Sequence, residues 1–183
     1  KIMKKFTFII FLIFATTNSQ SVDLINPNQN IGLKGWSIVN DDVMGGVSTS
    51  YISLNEEKKL IFKGYLSLEN NGGFASSRLG VKKKELVGVK SFKIKFRGDG
   101  NTYKLRLRQN YRRVSYSCDF QSANDKWVEV DIPVEDFKPT WRGYNYSDYP
   151  ALEIDEINSL SLHISDKQEG EFKLEIEFIK GIY

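Results

Sequence analysis

Two acids stand side by side at Asp41 and Asp42 in the stretch "NDDVMGG", and Gly45 and Gly46 follow them. Three kinds of chemistry begin this way: a catalytic acid pair, a calcium site, and a tight loop whose carboxylate caps backbone N–H groups. Adjacent side chains of an extended chain point in opposite directions, so these two carboxylates are poorly placed to converge on one bond. Oxygen ligands for calcium are available, but the spacing of a recognised calcium loop is absent. An Asx-type corner fits better, with the glycines allowing a sharp bend or close backbone packing. A second glycine-rich corner, "NNGGFASSR", holds Asn71, Gly72, Gly73 and Phe74 and ends at Arg78. One corner carries acid and the other carries base. The two are expected to pack together, with Asp41 or Asp42 reaching Arg78 or nearby backbone N–H groups.

Other constellations are weaker. Glu129 and Asp131 lie two apart and share one strand face, as glycosidase acids do. Glu175 and Glu177 repeat the spacing beside Lys173, as an ordinary solvated face would. The chain has one histidine, His163, and one cysteine, Cys118. That count excludes a zinc site built from several His and Cys side chains, and no triad nucleophile motif accompanies His163. Cys118 falls among alternating apolar positions and reads as a small core side chain without a disulfide partner. The sequence is therefore read as a non-enzyme, with no metal and no cofactor.

A basic hairpin offers binding chemistry instead. Lys104, Arg106 and Arg108 project from one strand, and Tyr111, Arg112 and Arg113 follow it, with Trp141 and Tyr144 further on. Arginines beside aromatic rings suit a sugar or a protein partner, and a solvated sheet face has the same composition.

Period-two alternation sets these residues in place. Leu60, Phe62, Leu66 and Leu68 share one face, as do Phe92, Ile94 and Phe96. Tyr103, Leu105 and Leu107 point inward opposite the basic residues; Val128, Val130 and Ile132 form another set, and Leu160, Leu162 and Ile164 another. Phe172, Leu174, Ile176 and Phe178 complete the pattern. Many short one-sided strands separated by "RGDGN", "SANDK" and similar turns predict an all-β antiparallel sandwich or barrel. "ALEIDEINS" is expected to give one short helical turn.

Residues 1–20 carry Lys1, Lys4 and Lys5, an apolar run and then small polar residues, the order of a cleaved signal peptide. This predicts a single domain over 21–183, exported to the periplasm or secreted, with no stable membrane anchor. The 26 Lys and Arg exceed the 23 Asp and Glu by the three lysines of the leader, so the remainder is neutral. A neutral domain has no general pull on nucleic acid.

Four segments, "GWSIVNDDVMGGVS", "FKGYLSLENNGGFASSR", "FRGDGNTYKLRLR" and "WVEVDIPVEDFKPTWRG", resemble the complex I intermediate-associated protein 30 domain family. The resemblance runs from about Leu33 to "FKLEIEFI". It implies a galactose-binding-like jelly-roll β-sandwich, related to carbohydrate-binding modules. It also implies a chaperone-like assembly factor that binds intermediates of respiratory complex I without catalysis. The motif residues that carry it are Trp36, Asn40, Asp41, Asp42, Met44, Gly45, Gly46, Asn71, Gly72, Gly73, Phe74 and Arg78. The expected function is a protein-binding module, and the alternative is a carbohydrate-binding module of the cell envelope.

Overall fold

The computed structural model describes residues 20–109 and 113–183. Tyr111 and all but the last residue of the expected leader lie outside the described residues. Among the described residues thirteen strands follow in chain order. The first seven are β1 (Ser21–Ile25), β2 (Trp36–Ile38), β3 (Thr49–Leu54), β4 (Leu60–Leu66), β5 (Ala75–Gly80), β6 (Ser91–Gly98) and β7 (Thr102–Gln109). Then come β8 (Ser115–Gln121), β9 (Trp127–Pro133), β10 (Lys138–Trp141), β11 (Tyr144–Asn145), β12 (Ile157–Ile164) and β13 (Gly170–Ile182). Helical pieces among the described residues are single 3₁₀ turns, one of them at Ile154–Glu156 in the expected segment. None is long and apolar enough to cross a membrane.

The strands form two antiparallel sheets, the expected all-β sandwich. One sheet runs β3-β4-β13-β6-β9, with β1 also on β13. The other runs β11-β10-β8-β7-β12-β5-β2. Alternation places the core between them. Phe92, Ile94 and Phe96 of β6 face Leu105 and Leu107 of β7 and Leu160, Leu162 and Ile164 of β12, all essentially inaccessible to water. Each such side chain contributes about 1.5–3 kcal/mol by its burial. Phe96 meets Phe120 edge-on at 4.8 Å and Tyr103 meets Phe172 at 6.5 Å across the two sheets, so aromatic rings knit the sheets together. Cys118 packs against this core half-buried.

Two expected core positions are elsewhere. Leu68 lies past the end of β4 and is 36% exposed. Phe178 follows a register shift between Ile176 and Phe178. The extra residue turns Phe178 outward, where Lys180 Nζ sits 4.8 Å from its ring, and Ile179 takes the inward place.

Candidate functional site

The "NDDVMGG" stretch forms a 3₁₀ turn over Asp41–Met44, closed by Gly45 at φ 91°. Asp41 is completely buried. Its Oδ1 accepts the Ser48 N–H at 2.9 Å, and its Oδ2 accepts the Ser48 hydroxyl and the N–H groups of Gly73 (2.7 Å) and Phe74 (3.2 Å). Four donors converge on one carboxylate, three of them on Oδ2 and one on Oδ1. Burial acts to raise the Asp41 pKa. The Ser48 hydroxyl and the three backbone N–H groups outweigh it and hold the group below its ordinary value. Close approach is built in: a Cβ at Gly72 would stand 2.6 Å from Asp41 Oδ2. Asn40 extends the corner. Its Oδ1 accepts from Ser50 Oγ (2.7 Å) and Ser76 N–H (3.1 Å), joining β3 of one sheet to β5 of the other.

The two glycine-rich corners therefore meet, through Asp41 and backbone N–H groups. The expected partner Arg78 is not involved: it lies further along β5, out of reach of a carboxylate anchored at Gly73 and Phe74. Asp42 is exposed. Asp42→Ala is expected to change stability by less than about 0.5 kcal/mol, as surface substitutions do, and a thermal melt checks this.

The corner sits at the end of a cleft of about 920 Å³ on the outer face of the seven-stranded sheet. Sheet register explains its floor. Ser37 of β2, Arg78 of β5, Ser161 of β12, Arg106 of β7 and Ser117 of β8 are successive partners across the sheet. Small serines thus alternate with long arginines, and Ser161, flanked on both sides by arginine, is only 4% exposed. Two residues along β12, His163 is also buried, stacked on Phe74 at 5.6 Å. Arg106 Nη1 lies 3.2 Å from His163 Nδ1, and Arg106 Nη2 donates to Ser115 Oγ at 2.7 Å. Burial, then the charges of Arg106 and Lys104, push the His163 pKa well down, so the ring is neutral. A guanidinium only donates, so Nδ1 accepts and the ring proton is on Nε2. Burial, then Arg108 and Arg78, lower the Arg106 pKa to about 10.

The expected residues divide by role. Asn40, Asp41, Gly46, Gly72 and Gly73 build the corner. Met44, Asn71, Phe74 and Arg78 line the cleft, together with Arg106, Arg108, Arg113 and Trp141. Trp36 is at the sheet edge, its Nε1 donating to Gly32 O at 2.8 Å. Tyr144 is 72% exposed and outside the cleft lining. Sequence reasoning missed His163, whose position between Leu162 and Ile164 reads as solvent-facing; it lies on the cleft floor.

The acid pairs belong to the opposite sheet. Glu129 is exposed and 3.6 Å from Lys93; Asp131 is exposed. Glu175 is not on a solvated face: it is buried beneath Arg97 and Lys173. Glu129→Gln and Asp131→Asn are each expected to leave the melting temperature unchanged within about 2 °C, since exposed ion pairs are worth little. Among the described residues, no three His, Cys, Asp or Glu side chains converge as metal ligands.

The sequence model of the family "Complex I intermediate-associated protein 30" matches residues 25–176. This chain belongs to that family. A curated relative, mitochondrial complex I intermediate-associated protein 30 of Mus musculus, is 26% identical over 82% of this chain and 52% of its own length. A probable mitochondrial counterpart from Caenorhabditis briggsae is also 26% identical, over 81% of this chain and 50% of its own. The chain spans about half the length of both. These relatives overturn the expected export: they are mitochondrial, not periplasmic or secreted. Lysines followed by an apolar run are a compositional pattern and do not by themselves specify a compartment. Among solved structures, the family 11 carbohydrate-binding module of a cellulosomal cellulase of Clostridium thermocellum superposes with a TM-score of 0.66 at 12% identity. The match covers 92% of this chain and 96% of that one. It places the fold among galactose-binding-like sandwiches, and at that identity it bears on fold alone.

Proposed function

We propose that this chain is a non-catalytic, protein-binding module of the complex I assembly-factor kind, and that it holds its partner in the cleft on the seven-stranded sheet. The observation that carries this is the cleft itself: a concave surface on rigid strands that combines arginine, a methionine and aromatic side chains. Arg, Met and aromatic residues are enriched at protein interfaces. Family membership supports a polypeptide partner. The acidic pairs lie on the other sheet, with Glu129, Glu175 and Glu177 tied to lysines or arginines, and among the described residues the cleft lining holds one carboxylate, Asp166, itself 2.6 Å from Lys104.

A carbohydrate ligand is the second reading, favoured by the fold shared with the clostridial module. The cleft fits it less well. Sugar recognition on a sheet wants a flat, open aromatic face, and here Phe74 is stacked on His163 while Arg142 lies 5.7 Å over Trp141. A photo-reactive amino acid at position 44 separates the readings, with position 51 on the other sheet as control. Cross-links from position 44, and not 51, to subunits of complex I intermediates are expected. Absence of polypeptide cross-links, with binding of a β-glucan lost on Arg106→Ala, would reverse the choice.

A further inference from the structure

Among the described residues, Arg78 and Arg106 of the cleft have no carboxylate partner, whereas a set of basic side chains on the opposite sheet is paired with acids. There Lys59 and Lys95 share Glu177 at 3.3 Å each, Lys93 faces Glu129, and Arg97 is bonded to Glu175. The cleft lining carries six basic side chains, Arg78, Arg106, Arg108, Arg113, Arg142 and Lys167, against one acid, Asp166. Asp166 is already 2.6 Å from Lys104. No carboxylate among the described residues comes within ion-pair distance of Arg78 or Arg106. In a domain that is neutral apart from its first residues, this local excess is a property of the face and not of overall composition.

The two arginines are also presented for use. Arg106 is held by two uncharged acceptors, His163 Nδ1 and Ser115 Oγ. Those contacts fix the guanidinium plane and leave its positive charge unanswered. Arg78 Nε is buried with no partner. Buried donors are normally satisfied, so an orphan in a cleft points to a missing acceptor. The register puts Arg78 and Arg106 one strand to either side of Ser161, with Cα atoms about 10 Å apart. A carboxylate seated over Ser161 is within reach of both side chains. Beside them the rim is apolar: Val43 is 67% exposed and Met44 56%.

We infer that Arg78 and Arg106, across the Ser161 floor, form a receptor for a side-chain carboxylate on an acidic segment of the partner protein, with an adjoining apolar residue packed on Val43 and Met44. The inference rests on the protein-binding reading and adds to it the chemistry of the partner. His163 is a positioning residue: it orients Arg106 and leaves the charge to the guanidinium. A bidentate carboxylate–guanidinium pair is geometrically selective, so arginine is needed and lysine is a poor substitute.

The test pans a random displayed peptide library against the full chain and measures the selected peptides by fluorescence anisotropy. Selected peptides are expected to carry Asp or Glu next to an apolar residue. Replacing those acids by Gln or Asn should weaken binding about tenfold or more. Arg78→Gln and Arg106→Lys should do the same in folded protein, while Lys180→Gln on the other sheet should not. Two different variants keep the test decisive if one folds poorly. Selected peptides without acids that still compete for the cleft would overturn the carboxylate receptor and leave the protein-binding reading standing. Failure to select any peptide, with oligogalacturonate bound instead and lost in both arginine variants, would overturn both and assign the anion site to a sugar acid. Failure of every probe would overturn the receptor.

Discussion

Asp41→Ala is expected to lower the melting temperature by about 10 °C. The carboxylate is buried and accepts from the Ser48 N–H and hydroxyl and from the Gly73 and Phe74 N–H groups. Hydrogen bonds to a charged group are worth about 1.5–3 kcal/mol each, and each buried donor left unpaired costs about 1–3 kcal/mol. The contributions are not additive, and part of the loss is recovered by relaxation, so about 3–5 kcal/mol is the expected total. In a domain of this size each kcal/mol corresponds to about 2–4 °C. Asp41→Asn preserves shape and should still destabilise. Its amide group must turn NH₂ toward either the Ser48 N–H or the Gly73 and Phe74 N–H groups, placing donor against donor. The pH dependence has a definite sign. The folded-state pKa lies below the ordinary 3.8. The unfolded chain therefore binds the proton first, and the stabilisation is fully present above about pH 4. It is lost as the pH falls from there through the depressed folded value. Calorimetry from neutral pH downward should show the gap between wild type and Asp41→Ala closing on the acid side. Equal melting temperatures at neutral pH would show that the corner does not hold the two sheets together.

Most of this architecture was legible in the chain because burial on one sheet face writes itself as alternation. Tyr103, Leu105 and Leu107 against Lys104, Arg106 and Arg108 is a local pattern, and the structure keeps it. The meeting of the two glycine-rich corners was legible too, since Gly46 and Gly72 make sense only where another group comes close. Of the two expected partners of the acid, nearby backbone N–H groups are found and Arg78 is not, for reasons of strand geometry. Arg78 is four residues beyond Phe74 along β5, about 13 Å at the rise of an extended chain. Phe178 failed because a bulge shifts the phase of an otherwise regular strand, and no composition rule marks it. His163 was missed for a deeper reason. Its neighbours Phe74 and Arg106 come from β5 and its approach and from β7, so its burial is a product of sheet order. The clustering of Arg78 with Arg106 has the same origin, because only the β7-β12-β5 order brings them together. The leader pattern illustrates the opposite case: a clear local signal whose inferred destination the relatives contradict.

Arg78→Met should raise thermal stability while removing the capacity to bind an acidic peptide. Most substitutions that damage a binding site are neutral or destabilising, so the opposite sign is informative. Arg78 Nε is buried without an acceptor, and that desolvation is uncompensated in the free protein. Burial, and then the charge of Arg108, lower the Arg78 pKa, which means that the charged form is disfavoured where it stands. Methionine has a similar unbranched stem and fills the same half-buried groove without a polar atom to desolvate. Replacing an uncompensated polar group by an apolar one of like shape is expected to contribute about 1–2 kcal/mol, a rise of about 4 °C. Added salt should narrow the difference, because screening relieves the repulsion among the arginines of the wild type. Function offsets the cost only when a partner arrives: a carboxylate supplies the missing acceptor and the missing charge together, so wild type should be stabilised by the acidic peptide and Arg78→Met should not. A melt in which Arg78→Met falls below wild type in the absence of peptide would mean that Arg78 holds the sheet together, and that its charge is satisfied within the folded chain.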